Sequence, residues 1–215
     1  MIWAWLARLI RKFRKTKPGG RHSSWPTREE IAHLPVFEGL EPPDIVVITT
    51  AQGAERAYDE LIGAGVVGFD TESKPTFVKG HVSKGPHVAQ FCTLKQAYIF
   101  TLTEPEILKA VGKLIACETL KKVGFGLSDD LRRIPIKFHV QPKAVLDLET
   151  LFVKKGYGRG VGVKVAVAIV FKRRFLKSKK ASTSDWSRPL NEKQILYAAN
   201  DAYAAIKVYD ALKEK

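Results

Sequence analysis

Two carboxylates stand two residues apart at the end of an apolar run. The segment VVGFDTES, residues 66–73, begins as a buried strand and then places Asp70 and Glu72 close together. Because side chains alternate across a strand, residues i and i+2 face the same way. Two carboxylates that close repel each other unless a positive charge lies between them. The spacing therefore indicates a site that binds a cation.

Two later segments carry further acidic residues on predicted helices. In VGFGLSDDL, a short strand and a glycine-rich turn lead into Asp129 and Asp130 at a helix start. In YAAND, Tyr197 and Asp201 are four residues apart, so the phenol and the carboxylate share one face of the last helix. Each pair also has a structural interpretation, as helix-capping acids or as a surface Tyr–Asp pair. The functional interpretation depends on all three segments occurring together and in this order.

The composition of the chain limits the kinds of molecule and metal that it is expected to bind. The chain has 215 residues, a formal net charge of +14 and 45% hydrophobic residues. Its length allows one sizeable core plus an extension, and its charge favours nucleic acid or an anionic membrane surface as partner. Cys92 and Cys117 form no C-x-x-C pair, which argues against a thiolate zinc site. We expect two buried free thiols in a reducing cytoplasm, with a single disulfide as the alternative.

The N-terminus, MIWAWLARLIRKFRKTKPGG, places an apolar stretch before its positive charges, the reverse of a secretory signal. At roughly ten residues the stretch is too short to span a bilayer. It suits an amphipathic helix docked on its own domain or a basic tail. Contact with a membrane surface, a protein partner or nucleic acid is the alternative. We expect a basic amphipathic extension and linker over residues 1–40 and the main domain over residues 41–215.

The other segments predict a mixed sheet flanked by helices. Predicted strands are IVVITT, VVGF, HVAQFCTL, QAYIFTL and KKVGFG. Predicted helices are TREEIAHL, which opens on a capping box, then AERAYDELIGAG, PEILKAVGKLIAC, SDDLRRI, DLETLFVKKG and a long helix from NEKQ to the C-terminus. The run VKVAVAIVF is ambiguous because its β-branched residues favour a strand, but its position among helices favours a helix.

The order and wording of the acidic segments resemble the ribonuclease D-like, or DEDD-type, 3′–5′ exonuclease superfamily. Within it they are nearest the tyrosine subclass and the exonuclease domain of the Werner syndrome protein. The resemblance covers about residues 44–212 and rests on three motifs, GFDTE, VGFGLSDDL and SDWSRPLNEKQILYAANDAYAAIKVYDAL. It implies an α/β fold, a ribonuclease H-like mixed β-sheet flanked by α-helices.

The resemblance also implies the site residues. It implies an acidic quartet that holds metal, together with a catalytic tyrosine: Asp70, Glu72, Asp130, Asp201 and Tyr197. Asp130 is preferred to Asp129 because the family places an acid just before a helix leucine, here Leu131. The histidine subclass would have His where this chain has Leu196, so the tyrosine subclass is the one that the sequence supports.

Hard divalent cations take oxygen ligands, and two such ions about 3.5–4 Å apart polarise both the attacking and the leaving oxygen of a phosphodiester. We therefore expect two Mg²⁺ or Mn²⁺ ions, with Asp70 as the bridging ligand and Asp130 at the second ion. Tyr197 is expected to orient the attacking water, because a phenol with a pKa near 10 is a poor base at neutral pH. The expected product is a 5′-mononucleotide released from a free 3′ end, with DNA favoured over RNA and DNA repair as the context.

A basic segment, FKRRFLKSKK over residues 171–180, mixes cations with aromatic residues. We expect its cations to bind phosphates and an aromatic ring to stack on a base. The predicted nucleic-acid-binding residues are Lys172, Arg173, Arg174, Phe175 and Lys177. The alternative is a solvated helix face with two core aromatics. A second class of function stays open as well, a catalytically silent nucleic-acid-binding module on the same fold. The sequence predicts no oligomeric state.

Overall fold

A computed structural model describes residues 25–75 and 85–213 of the chain. In this part of the chain one six-stranded sheet has the strand order β1-β4-β3-β2-β5-β6. The strands are β1 Ile45–Ile48, β2 Val66–Glu72, β3 Val88–Cys92, β4 Ala97–Thr101, β5 Lys121–Gly124 and β6 Val145–Asp147. Strand β3 is antiparallel to both of its neighbours, and the other pairs are parallel. The predicted mixed sheet is confirmed.

The helices largely follow the predicted segments. They are α1 Arg28–Ala32, α2 Ala51–Ala64, α3 Pro105–Ala116, α4 Ser128–Phe138, α5 Glu149–Lys154, α6 Val163–Phe171, α7 Lys179–Ser182 and α8 Glu192–Lys213. The capping box at Thr27 is present, and the ambiguous run VKVAVAIVF is helix α6. The prediction that DLETLFVKKG is helical throughout is wrong at both ends, because the helix spans only Glu149–Lys154. Asp147 ends strand β6, which is too short to show a periodicity and exists through its pairing with β5.

Helices cover both faces of the sheet. Alternate residues of β2 divide between the two faces, so that Val67 and Phe69 join a core built with α2, α3 and α4. The other face of the sheet packs against α6 and α8, whose buried residues are mostly small, such as Ala198 and Ala202. Small side chains allow the long helix α8 to lie close to the strands. Gly68, Asp70 and Glu72 lie on this second face by the alternation of the strand.

The described part of the predicted N-terminal extension packs onto the domain. The indole Nε1 of Trp25 donates to the carbonyl oxygen of Tyr157 at 2.6 Å, and Leu40 is a buried core residue. Residues 1–24, which hold the predicted amphipathic helix, lie outside the described residues. No helix in the described ranges has both the length and the apolarity needed to cross a membrane.

The two cysteines are free, as predicted, and the disulfide alternative is wrong. Cys92 is buried, and burial raises the pKa of its thiol. Cys117 is only half-buried, which corrects the prediction that both thiols lie in the core. It follows α3, where its main-chain carbonyl accepts a hydrogen bond from the buried ammonium of Lys122 at 2.7 Å.

Candidate active site

Strand β2 and helix α8 bring together three carboxylates that are distant in sequence. One oxygen of each of Asp70, Glu72 and Asp201 lies within 4.8 Å of the others. Asp201 is buried, with 6% of its surface exposed, and the two strand residues are half-buried. Strand alternation aims Asp70 and Glu72 at α8, and the helix supplies the third acid. We call these three residues the carboxylate cluster.

The surroundings of the cluster disfavour its negative charge. Burial is the main cause that raises the pKa of Asp70, and the neighbouring charges of Asp201, Asp130 and Glu72 raise it further. Burial and then Asp201 raise the pKa of Glu72 to about 8. Carboxyl groups in such surroundings are stabilised as anions by a bound cation. All the donor atoms are oxygens, the ligands that Mg²⁺ and Mn²⁺ prefer.

Lys177 supplies a positive charge inside the site. Its Nζ donates to Oδ2 of Asp201 in an ion pair and lies 5.4 Å from the ring centroid of Tyr197. Burial alone would lower the pKa of this ammonium, but Asp201, Tyr197 and Asp70 outweigh burial and raise it. Lys177 is thus a counter-ion of the carboxylate cluster, and we predicted it only as a phosphate contact.

Asp130 approaches the strand from the opposite side. The hydroxyl of Thr71 donates to its Oδ1, and Thr71 points away from the face that carries Asp70. Among the described residues, Asp130 is not part of the set of three close carboxylates. It still lies near enough for its charge to raise the pKa of Asp70 and of Glu72. This position suits a group at the margin of the site, beside the carboxylate cluster.

The neighbouring residue, Asp129, is placed quite differently. Its side chain is 60% exposed and forms an ion pair with Arg132, one turn further along α4. Asp130, by contrast, is half-buried, and burial raises the pKa of its carboxyl against the opposing effect of the Thr71 hydrogen bond. The structure thus separates the two adjacent acids, with Asp130 beside the strand and Asp129 on the surface.

Tyr197 lies beside Lys177 and against an indole. Its ring centroid is 5.9 Å from that of Trp186, and Trp186 is buried at 1% exposure. Burial and then the charge of Asp201 raise the pKa of the phenol. The hydroxyl therefore keeps its proton at neutral pH, where it can donate a hydrogen bond but cannot act as a base.

A cleft of about 370 Å³ opens from the cluster. Its lining includes Asp70, Asp201, Lys177, Phe125, Gly160 and Lys164. The connection between α5 and α6 borders this cleft and is rich in glycine. Gly156, Gly158 and Gly160 have positive φ there, the left-handed conformation that favours glycine. The cleft is therefore lined both by acidic residues of the site and by basic side chains and glycine main chain.

The predicted nucleic-acid-binding segment is divided by the structure. Lys172 and Arg173 are exposed at the end of α6. Nη1 of Arg174 instead donates to the carbonyl oxygen of Ala32 at 3.0 Å, which ties it to the N-terminal segment.

Phe175 is a core residue with 6% of its surface exposed. Its ring lies 6.0 Å from that of Phe37. The predicted role of Phe175 in base stacking is therefore corrected, because a buried ring has no free face for a base.

Three residues near the site were missed from the sequence. Gly68 could have been found, because a glycine inside a buried strand often marks the close approach of another main chain. The hydroxyl of Thr71 donates to Asp130, but the sequence predicted no role for Thr71 beyond its place between two acids. Gln90 lies opposite Asp70 in the sheet register, and its fully buried amide has no hydrogen-bond partner among the described residues.

Comparison with known proteins identifies relatives of the chain. A family model described as 3′-5′ exonuclease matches residues 45–215. The bifunctional 3′-5′ exonuclease/ATP-dependent helicase WRN of Mus musculus is 30% identical over 156 residues, which cover 71% of this chain and 11% of that protein. A 3′-5′ exonuclease of Arabidopsis thaliana is 30% identical over 155 residues, 71% of this chain and 54% of that protein. The chain therefore spans only about a tenth to a half of the length of these relatives.

Solved structures with the same architecture have lower sequence identity. The Nibbler EXO domain of Aedes aegypti superposes with a TM-score of 0.71 at 21% identity, covering 83% of this chain and 92% of that one. The RNase D of Trypanosoma brucei in complex with RNA U12 gives a TM-score of 0.70 at 21% identity, covering 87% and 65%. These likenesses confirm the predicted ribonuclease H-like fold.

Proposed function

This chain belongs to the 3′–5′ exonuclease family, and on that premise we propose that it is a metal-dependent enzyme that removes nucleotides from the 3′ end of a nucleic acid. The observation that carries the proposal is the carboxylate cluster, whose three oxygens lie within 4.8 Å of one another. Burial and mutual repulsion raise the pKa of Asp70 and of Glu72. Such a group of acids is costly to the fold unless it binds cations.

The residues that would hold two divalent cations, Mg²⁺ or Mn²⁺, are Asp70, Glu72 and Asp201, with Asp130 at the margin. When bound, such cations stabilise the charge that develops on a phosphodiester and lower the pKa of water. The reaction adds water to the last phosphodiester. The water oxygen bonds to phosphorus, the bond from phosphorus to the 3′ oxygen breaks, and that oxygen takes up a proton. The product is a 5′-mononucleotide.

Tyr197 and Lys177 have complementary roles in this proposal. The protonated phenol of Tyr197 donates a hydrogen bond that orients the attacking water, a role that the raised pKa of the hydroxyl supports. Lys177, which lines the cleft next to Asp70, offers an ammonium to the phosphate that is cleaved. Its Nζ lies 5.4 Å from the centroid of the Tyr197 ring, and this cation–π contact keeps the ammonium near the reacting group.

The proposed substrate is a strand with a free 3′ end, DNA first and RNA as the second candidate. The charge of +14 supports a polyanionic substrate. The second candidate is favoured by the similarity to an RNase D that was solved with an RNA oligonucleotide. Discrimination between DNA and RNA depends on contacts to the 2′-hydroxyl of the RNA. A direct comparison of DNA and RNA oligonucleotides of the same sequence decides between them.

The test uses 5′-labelled single-stranded DNA and RNA with Mg²⁺, with Mn²⁺ and with EDTA. The wild-type protein should shorten the strand stepwise from its 3′ end, and EDTA should stop the reaction. Asp70→Asn should reduce the rate by at least about a hundredfold, the scale of losing a key electrostatic group. Asp129→Asn is the matched control, because Asp129 is exposed and paired with Arg132, and it should keep the wild-type rate.

Two results would contradict the proposal. Undiminished metal-dependent shortening by Asp70→Asn would remove the carboxylate cluster from the reaction. Tight binding of the strand by the wild-type protein, without shortening in either metal, would instead support the catalytically silent binding module.

A further inference from the structure

Helix α4 carries a stripe of charge that begins at the active site. Asp130, Arg133 and Lys137 stand at i, i+3 and i+7, and so share one face of the helix. This face lies next to the stripe that Ile134 and Phe138 bury in the core. Arg133 and Lys137 are accordingly half-buried, with their stems along the domain. The stripe thus runs from the acidic site onto the adjoining surface.

The charges of the two cations act on groups at the site. The positive charge of Arg133 acts to lower the pKa of Asp130. After burial, the charge of Lys137 is the main cause that lowers the pKa of His87. The main-chain N–H of His87 donates to the carbonyl oxygen of Glu72 at 2.8 Å. Lys137 therefore lies near the end of β2 that carries the carboxylate cluster.

Neither Arg133 nor Lys137 has a side-chain hydrogen bond or ion pair with any residue in the described ranges. Their neighbour Arg132 differs from them in pairing and in exposure. It forms an ion pair with Asp129, and its side chain is 76% exposed. Arg132 also points to a different side of α4, about 100° per residue away from Arg133. The stripe therefore combines two partly buried cations with no hydrogen bond or ion pair in the described ranges and a position beside the site.

We propose that Arg133 and Lys137 bind phosphates of the substrate strand on the 5′ side of the bond that is cleaved. This inference rests on the proposed exonuclease function and specifies which surface holds the strand. Lys137 lies about 10 Å along the helix axis from Asp130. The stripe therefore contacts nucleotides that precede the 3′-terminal one. Side chains one turn apart, about 5–6 Å between Cβ atoms, suit neighbouring phosphates.

The test measures how salt weakens binding of a fluorescent single-stranded oligonucleotide in EDTA, where no cleavage occurs. Each phosphate contact on a single strand contributes about 0.7 to the slope of log affinity against log salt. The double variant Arg133→Gln with Lys137→Gln should therefore reduce the slope by about 1.4. Arg132→Gln should leave it unchanged. The variant Arg133→Lys with Lys137→Arg should keep the slope, because it preserves both charges.

A second measurement compares hydrolysis of a dinucleotide and of a long oligonucleotide. The double glutamine variant should lose more of its kcat/KM on the long strand than on the dinucleotide. An unchanged salt slope, or a slope that Arg132→Gln reduces equally, would overturn the inference. An absence of any hydrolysis by the wild-type protein would contradict the proposed function instead, while the salt slope would still decide whether α4 binds the strand.

Discussion

Gly68 faces the main chain of Ala202 so closely that a Cβ added to the glycine would lie 1.9 Å from the Ala202 carbonyl oxygen. Gly68 is in β2, two residues before Asp70, and Ala202 directly follows Asp201 in α8. This contact therefore helps to set the distance between the carboxylates of Asp70 and Asp201. A strand and a helix can approach this closely only where one of them has no side chain.

We expect Gly68→Ala to push α8 away from β2 and to lower both stability and nuclease activity. Overpacking a core costs about 1–3 kcal/mol, and here the obstacle is a main-chain atom that cannot rotate aside. Gly63→Ala in α2 is the control, because a Cβ there meets nothing within 4 Å. That change should stabilise the helix by about 0.5–1 kcal/mol. Urea unfolding and a nuclease assay measure the two effects, and similar outcomes for the two alanines would contradict this account.

Thr71 should matter through its hydroxyl alone. Its O–H donates to Asp130, so Thr71→Val keeps the shape of the side chain and removes the hydrogen bond. We expect the variant to fold normally and to lose activity, because Asp130 is no longer held beside the cluster. Thr71→Ser, which keeps the hydroxyl, should retain most of the activity. Steady-state kinetics over a range of Mn²⁺ concentrations would show this, and a Val variant as active as the Ser variant would refute it.

Lys177 should oppose metal binding, because its ammonium already forms an ion pair with the carboxylate of Asp201. Lys177→Met should bind Mn²⁺ more tightly in calorimetry without nucleic acid. The same variant should be less stable in EDTA, by up to about 3 kcal/mol, since the buried Asp201 loses its partner. Added Mn²⁺ should recover that loss. Lys180→Met, at an exposed position, should change neither quantity. Equal Mn²⁺ affinity in the two variants would show that Lys177 does not compete.

Glu72 should make the metal-free protein less stable as the pH rises. Burial and then the charge of Asp201 raise its pKa from 4.5 to about 8. Between these two values the folded state binds more protons than the unfolded state. Stability from this group is therefore complete below pH 4.5 and is lost as the pH rises through about 8. The gain in Tm on adding Mn²⁺ should grow over the same range, because the bound ion offsets the cost of ionisation.

Thermal unfolding in EDTA and in Mn²⁺, across this pH range, provides the measurement. Glu72→Gln removes one of the titrating groups and should weaken the dependence on pH in EDTA, while Asp70, whose pKa is also raised by burial, keeps part of it. A wild-type Tm that increases with pH in EDTA would contradict the predicted sign.

Local patterns predicted most of the elements because they act within a few residues. The capping box at Thr27 fixes a helix start through hydrogen bonds inside one turn. Helix α8 was evident from its length and spacing. Strand β6 was missed because three residues show no periodicity, and its existence depends on Lys122, Val123 and Gly124 of a neighbouring strand.

Residue type alone could not predict burial in the basic segment. Phe175 and Lys172 are three residues apart, yet the first packs against Phe37 and the second is exposed. Their difference arises from the segment between α1 and β1, which lies along residues 171–175 and pairs with them through Val36 and Arg174. Contacts between segments so distant in the chain have no local signature.

The sequence by itself determined which groups can do chemistry, namely four acids, a phenol and a basic surround, because ionisation and ligand preference belong to each side chain. Only the tertiary structure decided which of those groups lie together and which lie apart. It placed Asp201 with Asp70 and Glu72, held Asp130 on the other side of the strand through Thr71, and moved Lys177 from a surface role into the site. The physical reason is that burial and proximity are properties of the packed chain.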